Sequence, residues 1–525
     1  MTQGEPPQPP AQTPTAKPSW RRTRALYLRV LGLTLLCAVG SYWSQIIALN
    51  GEAGLAPAAE FAEAVAQVAE SKGWSSWERF LNAPSLYVLA PSDGALHGLA
   101  ALASLGCLLL IAGWFAGPGL LMVLLGWGSI VAVGGVFTGY QWDIFNLEVC
   151  FASLFIAPWL GRSDAPPLAR TQHDAGRWLL RIVLFKFMLL QGLVKWRSGD
   201  ASWEQWTALD YHFWTQPIPH ALSWWAHQLP ETVDKVLVGG MYLVELVLPF
   251  AMLGPRRARL IAAVGTVALM LGIMATGNYG TFNLLTIALC VTLLDDGHLA
   301  ALKLAPRAPT PATPAADGPP SRISWTIARW ALVAPLILCN LQAINSRAHL
   351  ELPAPELLTD TAQLARRLYL CAPYGAFSHM TKDRPEIAIE ASMDGQTWRP
   401  YVFRYKTLAL DQSHGFAAVH MPRLDWQLWF ASLRRSCRAV RWYPALLRRL
   451  LQAEPNVLAL FAEVPFNGER PRLIRSTLWD YSFTTYDERR ERGHVWSRSR
   501  VDSYCPTVKL VGDRVRLADE SGGRR

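Results

Sequence analysis

The stretch Arg181–His227 reads RIVLFKFMLLQGLVKWRSGDASWEQWTALDYHFWTQPIPHALSWWAH. It starts as an apolar helix carrying Arg181, Lys186, Gln191 and Lys195, and it breaks at Ser198-Gly199-Asp200. Beyond the break it turns aromatic, with Trp203, Trp206, Tyr211, Trp214, Trp224 and Trp225. A cation inside or at the edge of a bilayer is costly and is kept for a partner or a task. Tryptophan and tyrosine sit well where hydrocarbon meets headgroups. The stretch therefore places polar chemistry at a membrane surface, and the rest of the chain is read outward from it.

The chain has 525 residues, 51% hydrophobic and 17% charged, with 23 tryptophans. Charged residues fall below the roughly 25% usual in soluble domains. Apolar windows of about 20 residues match a hydrocarbon core of roughly 30 Å. The expected fold is a polytopic α-helical membrane protein of about nine spans, with a C-terminal extramembrane α+β domain. The spans are read near 24–49, 94–116, 119–137, 140–160, 177–197, 233–253, 256–276, 279–296 and 323–345. Basic residues flank them at Arg21, Arg22, Arg24, Arg162, Arg170, Arg177, Arg256, Arg257 and Arg259, whereas the 50–93 loop holds Glu52, Glu60, Glu63, Glu70, Glu78 and Asp93. By the positive-inside bias the N-terminus is cytoplasmic, and an odd span count puts everything after about Arg347 outside. The same bias accounts for the net charge of +10 without a nucleic-acid partner. Residues 1–19, rich in Pro, Gln and Thr, are expected to be disordered. The helical domain is expected over 20–347, with outer loops 50–93 and 198–232 and a flexible Pro/Ala linker at 305–320.

The outer domain is expected over 353–515. Residues 386–392 alternate apolar with polar, Asp394-Gly395 makes a turn, and 398–406 alternate again, a β-hairpin signature. Residues 424–433 and 443–461 read as helical and 472–484 as a strand, which together suggest a β-sandwich-like sheet with inserted helices. Cys37, Cys107, Cys150, Cys290 and Cys339 fall in spans and read as buried apolar residues. Cys371, Cys437 and Cys505 lie outside, where a disulfide is permitted. A Cys371–Cys505 bridge would staple the domain's ends, although spacing does not fix connectivity.

Candidate polar sites gather at the outer ends of the spans. Gln141 and Glu148 share a helix face, whereas Asp143 and Glu148 do not, and Asp143 reads as solvated near the boundary. Glu148 pairs with Lys186 in the simplest reading, pinning two helices. Glu245 sits mid-span above Pro249, either as a functional carboxylate or paired with Lys186 or Arg181. Lys195 follows Gln191 by one helical turn, so both can face one groove. Two readings stand for it: a base whose amine is tuned by desolvation, and an interfacial lysine snorkelling to headgroups. Asp200, Asp210, Tyr211 and His212 lie in the adjoining loop, and Asn278, Tyr279 and Asn283 on the same outer face. They line a ligand or client groove, or they cap helix ends and decorate loops. No H-E-x-x-H, P-loop or G-x-S-x-G motif occurs, so no metal site and no cofactor is expected, and hydrolase and ATP-driven readings lose support.

The segments GYQWDIFNLEVCFASLFIAPW, LVKWRSGDASWEQWTALDYHFWTQPIPHALSWWAHQLP, VELVLPF and TGNYGTFNLLTIALCVTLLDD resemble the membrane part of lipase maturation factors. RPEIAIEASMDGQTWRPYVFRYK, HMPRLDWQLWFASL and VPFNGERPRLIRSTLWDYSFTT resemble that family's C-terminal domain. The resemblance implies a chaperone-like membrane factor that assists secreted clients, lipases in animals, in the endoplasmic reticulum, or at the cytoplasmic membrane of a bacterium. Expected partners are membrane lipids and a secreted protein client. The helical half is also similar, more remotely, to the transmembrane module of vitamin K-dependent gamma-carboxylases. There a lysine closing a G-L-x-K pattern is the base, and Gly192-Leu193-Val194-Lys195 fits that pattern. Three readings follow: a non-catalytic maturation factor, a membrane enzyme using Lys195 on a lipid, quinone or exported protein, and a transporter using Glu148, Lys186 and Glu245.

Overall fold

The computed structural model describes residues 19–164, 170–303, 323–406 and 408–518. The 1–18 part of the expected disordered tail and the 305–320 linker lie outside the described residues.

The N-terminal part is helical. Its main helices are α1 (Arg21–Trp43), α2 (Asp93–Ala112), α3 (Ala116–Val133), α4 (Gln141–Ser153), α5 (Arg170–Trp196), α6 (Glu231–Met252), α7 (Arg256–Thr276), α8 (Phe282–Leu293) and α9 (Ile323–Arg347). Among the described residues five of these, α1, α2, α3, α6 and α7, are long and apolar enough to cross a membrane, against the nine spans read from the sequence. The difference has a physical reason. Helices α4 and α8 are short, and α5 carries Arg177, Arg181, Lys186 and Lys195. Such helices depend on neighbours to cover their polar groups.

Hydrogen bonds sort the helix ends into two groups. At one end Arg21 and Arg24 donate to the carbonyls of Asp164 and Ser163 at 3.2 and 3.0 Å. There Arg177 reaches the Thr292 and Leu294 carbonyls, and Arg256 grips Asp295 through two bonds of 2.8 and 3.0 Å. The opposite end carries the C-terminal part.

The strands of the C-terminal part are β1 (Pro385–Ser392), β2 (Arg399–Pro400), β3 (Val402–Phe403), β4 (Phe461–Glu463), β5 (Leu473–Phe483), β6 (Trp496–Val511) and β7 (Arg514–Leu517). Five of them form an antiparallel sheet in the order β2-β1-β5-β6-β7, and β3 pairs with β4 in a separate ribbon. One sheet covered by helices α10 (Arg423–Leu433) and α11 (Tyr443–Leu451) thus replaces the expected sandwich. The hairpin at Asp394-Gly395 forms, its turn held by the Asp394 carboxylate accepting from the amides of Gln396 and Thr397 at 2.8 and 2.7 Å. Those bonds hold the Asp394 carboxyl down at about 2. Its second arm pairs with β1 at Arg399 and Pro400, adds a bond from the Tyr401 amide to the Ile389 carbonyl at 2.9 Å, then crosses to β4.

Cys505 is joined to Cys437, not to Cys371. The bridge ties β6 to the segment between α10 and α11, while Cys371 is buried beside helix α9.

Candidate functional site

The two parts interlock, and that contact builds the site. The segment Tyr369–Met380 leaves the C-terminal part and enters the end of the helices that lies opposite the arginine-rich one. Tyr374 is fully buried between Phe145 and Phe187, ring centroids 5.0 and 5.4 Å away. Its hydroxyl donates to Glu148, which also accepts from Lys186 at 2.5 Å and from the Ala372 amide at 3.3 Å. Gly375 takes φ +137°, and a Cβ there would stand 2.7 Å from Val194. Only glycine combines that backbone with so close a passage over α5.

Farther along, Arg423 at the start of α10 meets Asp143 in the first turn of α4 through two bonds of 2.5 and 2.8 Å, and donates to the Phe137 carbonyl at 2.9 Å. Both side chains are buried, so Asp143 is an internal anchor and not the solvated boundary residue expected from its position. The aromatic loop after α5 is clamped from both sides. Trp203 donates to the Phe377 carbonyl at 2.9 Å and Trp224 to that of Thr484 at 3.1 Å, whereas Trp206 and Trp225 stay exposed. Arg384 holds the loop's exit by donating to the Trp214, Gln216 and Pro217 carbonyls, with Glu386 and Lys406 buried beside it.

Between α4, α5, α6, α7, α10 and the Tyr369–Met380 segment lies a chamber of about 1160 Å³. Its lining is mostly apolar, including Trp142, Phe187, Met241, Leu269, Phe282 and Phe377. Lys195 faces it, donating to both carboxylate oxygens of Glu245 at 2.7 Å, its charge 5.6 Å from the Trp203 ring. Glu245 therefore pairs with Lys195, not with Lys186 or Arg181. Local sequence explains the meeting. The ring of Pro249 conflicts with the carbonyl four residues earlier, and α6 responds with a π-turn over Leu243–Val247 that carries Glu245. Gly192 lets the helices close, since a Cβ there would lie 2.6 Å from Leu246.

Gln191 donates to Gln141 at 3.2 Å, and their side-chain oxygens take the amides of Ala376 and Gly375 at 2.9 and 3.2 Å. Tyr279 donates to Gln216 at 2.9 Å, with His212 3.3 Å away. Burial and the nearby Lys195 charge lower the His212 imidazole to about 4, so it is neutral at pH 7.

The chamber thus brings together Gln141, Gln191, Lys195, His212, Glu245 and Tyr279. The other candidates read from the sequence sit elsewhere in the fold. Asp200 caps the short helix after it and accepts the Met380 amide at 2.8 Å. Asp210, its carboxyl raised by burial, and Tyr211, under the Lys382 ammonium at 5.4 Å, do not line the chamber. Asn278 bonds the Gly415 carbonyl at 2.9 Å and the Ala417 amide at 2.8 Å. Asn283 is buried without a hydrogen-bond partner among the described residues. Sequence reasoning missed Tyr374, Arg423 and the Arg384–Glu386–Lys406 cluster. No local pattern marks them, because each acts on a partner far along the chain. Among the described residues no three His, Cys, Asp or Glu side chains converge as metal ligands would.

Comparison with known proteins matches both parts. Residues 22–301 match the lipase maturation factor transmembrane domain and residues 370–506 the lipase maturation factor C-terminal domain. Lipase maturation factor 2 of Homo sapiens is 29% identical over 600 aligned positions, covering 93% of this chain and 83% of that protein. The Gallus gallus protein of the same name is 29% identical over 94% of this chain and 82% of its own length. Lipase maturation factor 1 of Homo sapiens is 28% identical over 93% of this chain and 88% of its own length. No solved structure matches.

Proposed function

Since the chain belongs to the lipase maturation factor family, we propose that this integral membrane protein assists the folding, assembly or maturation of a secreted, lipase-like client on the extracytoplasmic side. The observation that carries the reading is the interlock. Arg423–Asp143 and Tyr374–Glu148 hold the C-terminal part and the aromatic loop as one platform on the outer helix ends. Orientation is supported by the opposite end, where Arg21, Arg24, Arg177, Arg256 and Arg259 collect as cytoplasmic flanks do. The Cys437–Cys505 bridge suits an oxidising compartment for the other side. On this reading α4, α5, α8 and α9 cross as well, shielded by the longer apolar helices. Tryptophans such as Trp206 and Trp225 meet client or headgroup at the platform's edge.

The enzymatic reading keeps one supporting observation, the position of Lys195 in the chamber wall. Against its use as a free base, the ammonium is engaged by both oxygens of Glu245 and the Trp203 face. The transporter reading loses support because Glu148 and Lys186 are closed over by Tyr374. The deciding experiment deletes the gene in its host and measures active secreted lipase per unit of lipase protein. That ratio should fall severalfold and be restored by the wild-type chain. Lys195→Met/Glu245→Gln, which removes both charges together, should restore it too. Loss of rescue at normal abundance would transfer the role to Lys195 chemistry, and an unchanged ratio in the deletion strain would reject the maturation role.

A further inference from the structure

The chamber opens sideways between α6 and α7. These helices touch near Pro249, where a Cβ on Gly265 would stand 2.4 Å from Leu248. Toward their outer ends they part. Gly240 and Gly272 both line the chamber, and a Cβ on either would meet nothing within 4 Å. Both helices are apolar enough to cross a membrane and mostly unburied, with Val236, Leu237, Val264 and Leu271 exposed. The gap therefore faces hydrocarbon. A cavity lined by apolar groups does not hold water stably, and about 1160 Å³ exceeds the roughly 300–1,000 Å³ of ordinary small-ligand sites.

We propose that this chamber binds the acyl chain of an anionic membrane amphiphile, which enters between α6 and α7 and lays its head against the polar wall. That wall is Gln141, Gln191, the Lys195–Glu245 pair and Arg347. Lys195 and Glu245 cancel, and His212 is neutral at pH 7. Arg347 donates to the Tyr374 and Gly375 carbonyls at 3.2 and 3.4 Å, and no carboxylate stands within ion-pair distance of it among the described residues. Arg347 thus leaves an unpaired positive charge in the lining, which complements a carboxylate or a phosphate. A free fatty acid and a phosphatidylglycerol share that chemistry, a long chain ending in an anionic head. This assignment stands independently of the maturation role.

The test uses the full chain in phosphatidylcholine nanodiscs with three diazirine-tailed probes: palmitic acid, phosphatidylglycerol and phosphatidylcholine. After irradiation, adducts should map to the facing sides of 236–245 and 265–276. Excess unlabelled palmitate should abolish them, as it cannot do for lipid at the general protein surface. Gly240→Phe/Gly272→Phe fills the mouth where space is open and should cut labelling at least tenfold at unchanged melting temperature. The palmitic acid or phosphatidylglycerol probe should label severalfold more than phosphatidylcholine, and Arg347→Gln should erase that preference; which of the two dominates identifies the source. Unsaturable labelling that ignores the filled mouth would mean surface lipid only and overturn the site. Equal labelling by all three probes would overturn the anionic head.

Discussion

Separating Arg423 from Asp143 should release the C-terminal part from the helices. Both charges are buried and joined by two bonds of 2.5 and 2.8 Å. Removing one partner of such a pair leaves an uncompensated buried charge and costs about 3–5 kcal/mol, whereas replacing both with apolar residues is far less damaging. With each 1.36 kcal/mol a factor of ten, Asp143→Leu or Arg423→Met alone should raise opening of the junction roughly a hundredfold to a few thousandfold. Hydrogen exchange of the Met421 and Arg423 amides reads this directly, because they bond to Ser41 and Gln45 on the helical side at 2.8 and 3.0 Å. The double variant Asp143→Leu/Arg423→Met should recover most of the lost protection. Single variants that leave exchange within threefold of wild type, or a double variant equal to the sum of the two, would refute the coupling.

Lys195→Met should destabilise the helices by the same order, about 3–5 kcal/mol, and adding Glu245→Gln should return most of it, as read by thermal unfolding in nanodiscs. Cys437→Ser opens a bridge across a sequence separation of 68 residues. It should cost the C-terminal part roughly 4 kcal/mol and change mobility on a non-reducing gel, while Cys371→Ala leaves that mobility unaltered. His212 is lowered from an ordinary 6.5 to about 4. The unfolded chain therefore takes up its proton first as pH falls, and stability present above pH 6.5 is lost toward pH 4, by up to about 3 kcal/mol. His212→Phe should reduce the difference in melting temperature between pH 7.5 and pH 5; an identical difference would remove His212 as its source.

The sequence made the helical half legible wherever one residue's neighbours decide its state. Apolar runs, the break at Ser198-Gly199-Asp200 and the turn at Asp394-Gly395 are local events, and so is the proline that distorts α6 next to Glu245. Facing Lys195 and Gln191 into one groove follows from helical spacing alone. What stayed hidden depends on partners hundreds of residues apart. Asp143 at a helix start looks solvated until Arg423 is brought to it, and the three cysteines of the C-terminal part offer no local reason for Cys437 to choose Cys505. Strand β6 escaped notice because its stretch SRSRVDSY is exposed and polar along most of its length, so it lacks the alternation that marks a half-buried strand. Five helices alone qualify as spans by length and composition among the described residues because α4 and α8 are short and α5 is charged, features that only surrounding helices make tolerable.

The entry of Tyr374 into the helices also sets the order in which the chain can be completed. During synthesis α4 and α5 emerge long before residue 374, yet Glu148 is finished by Tyr374 and Ala372, Gln141 and Gln191 by Gly375 and Ala376, and Asp143 by Arg423. The helical half must therefore wait with the polar groups at that end open until the last third of the chain arrives to close them. A chain halted near residue 350 would carry every helix of the bundle and still be an unfinished object, one whose exposed carboxylates and amides a quality-control protease could recognise.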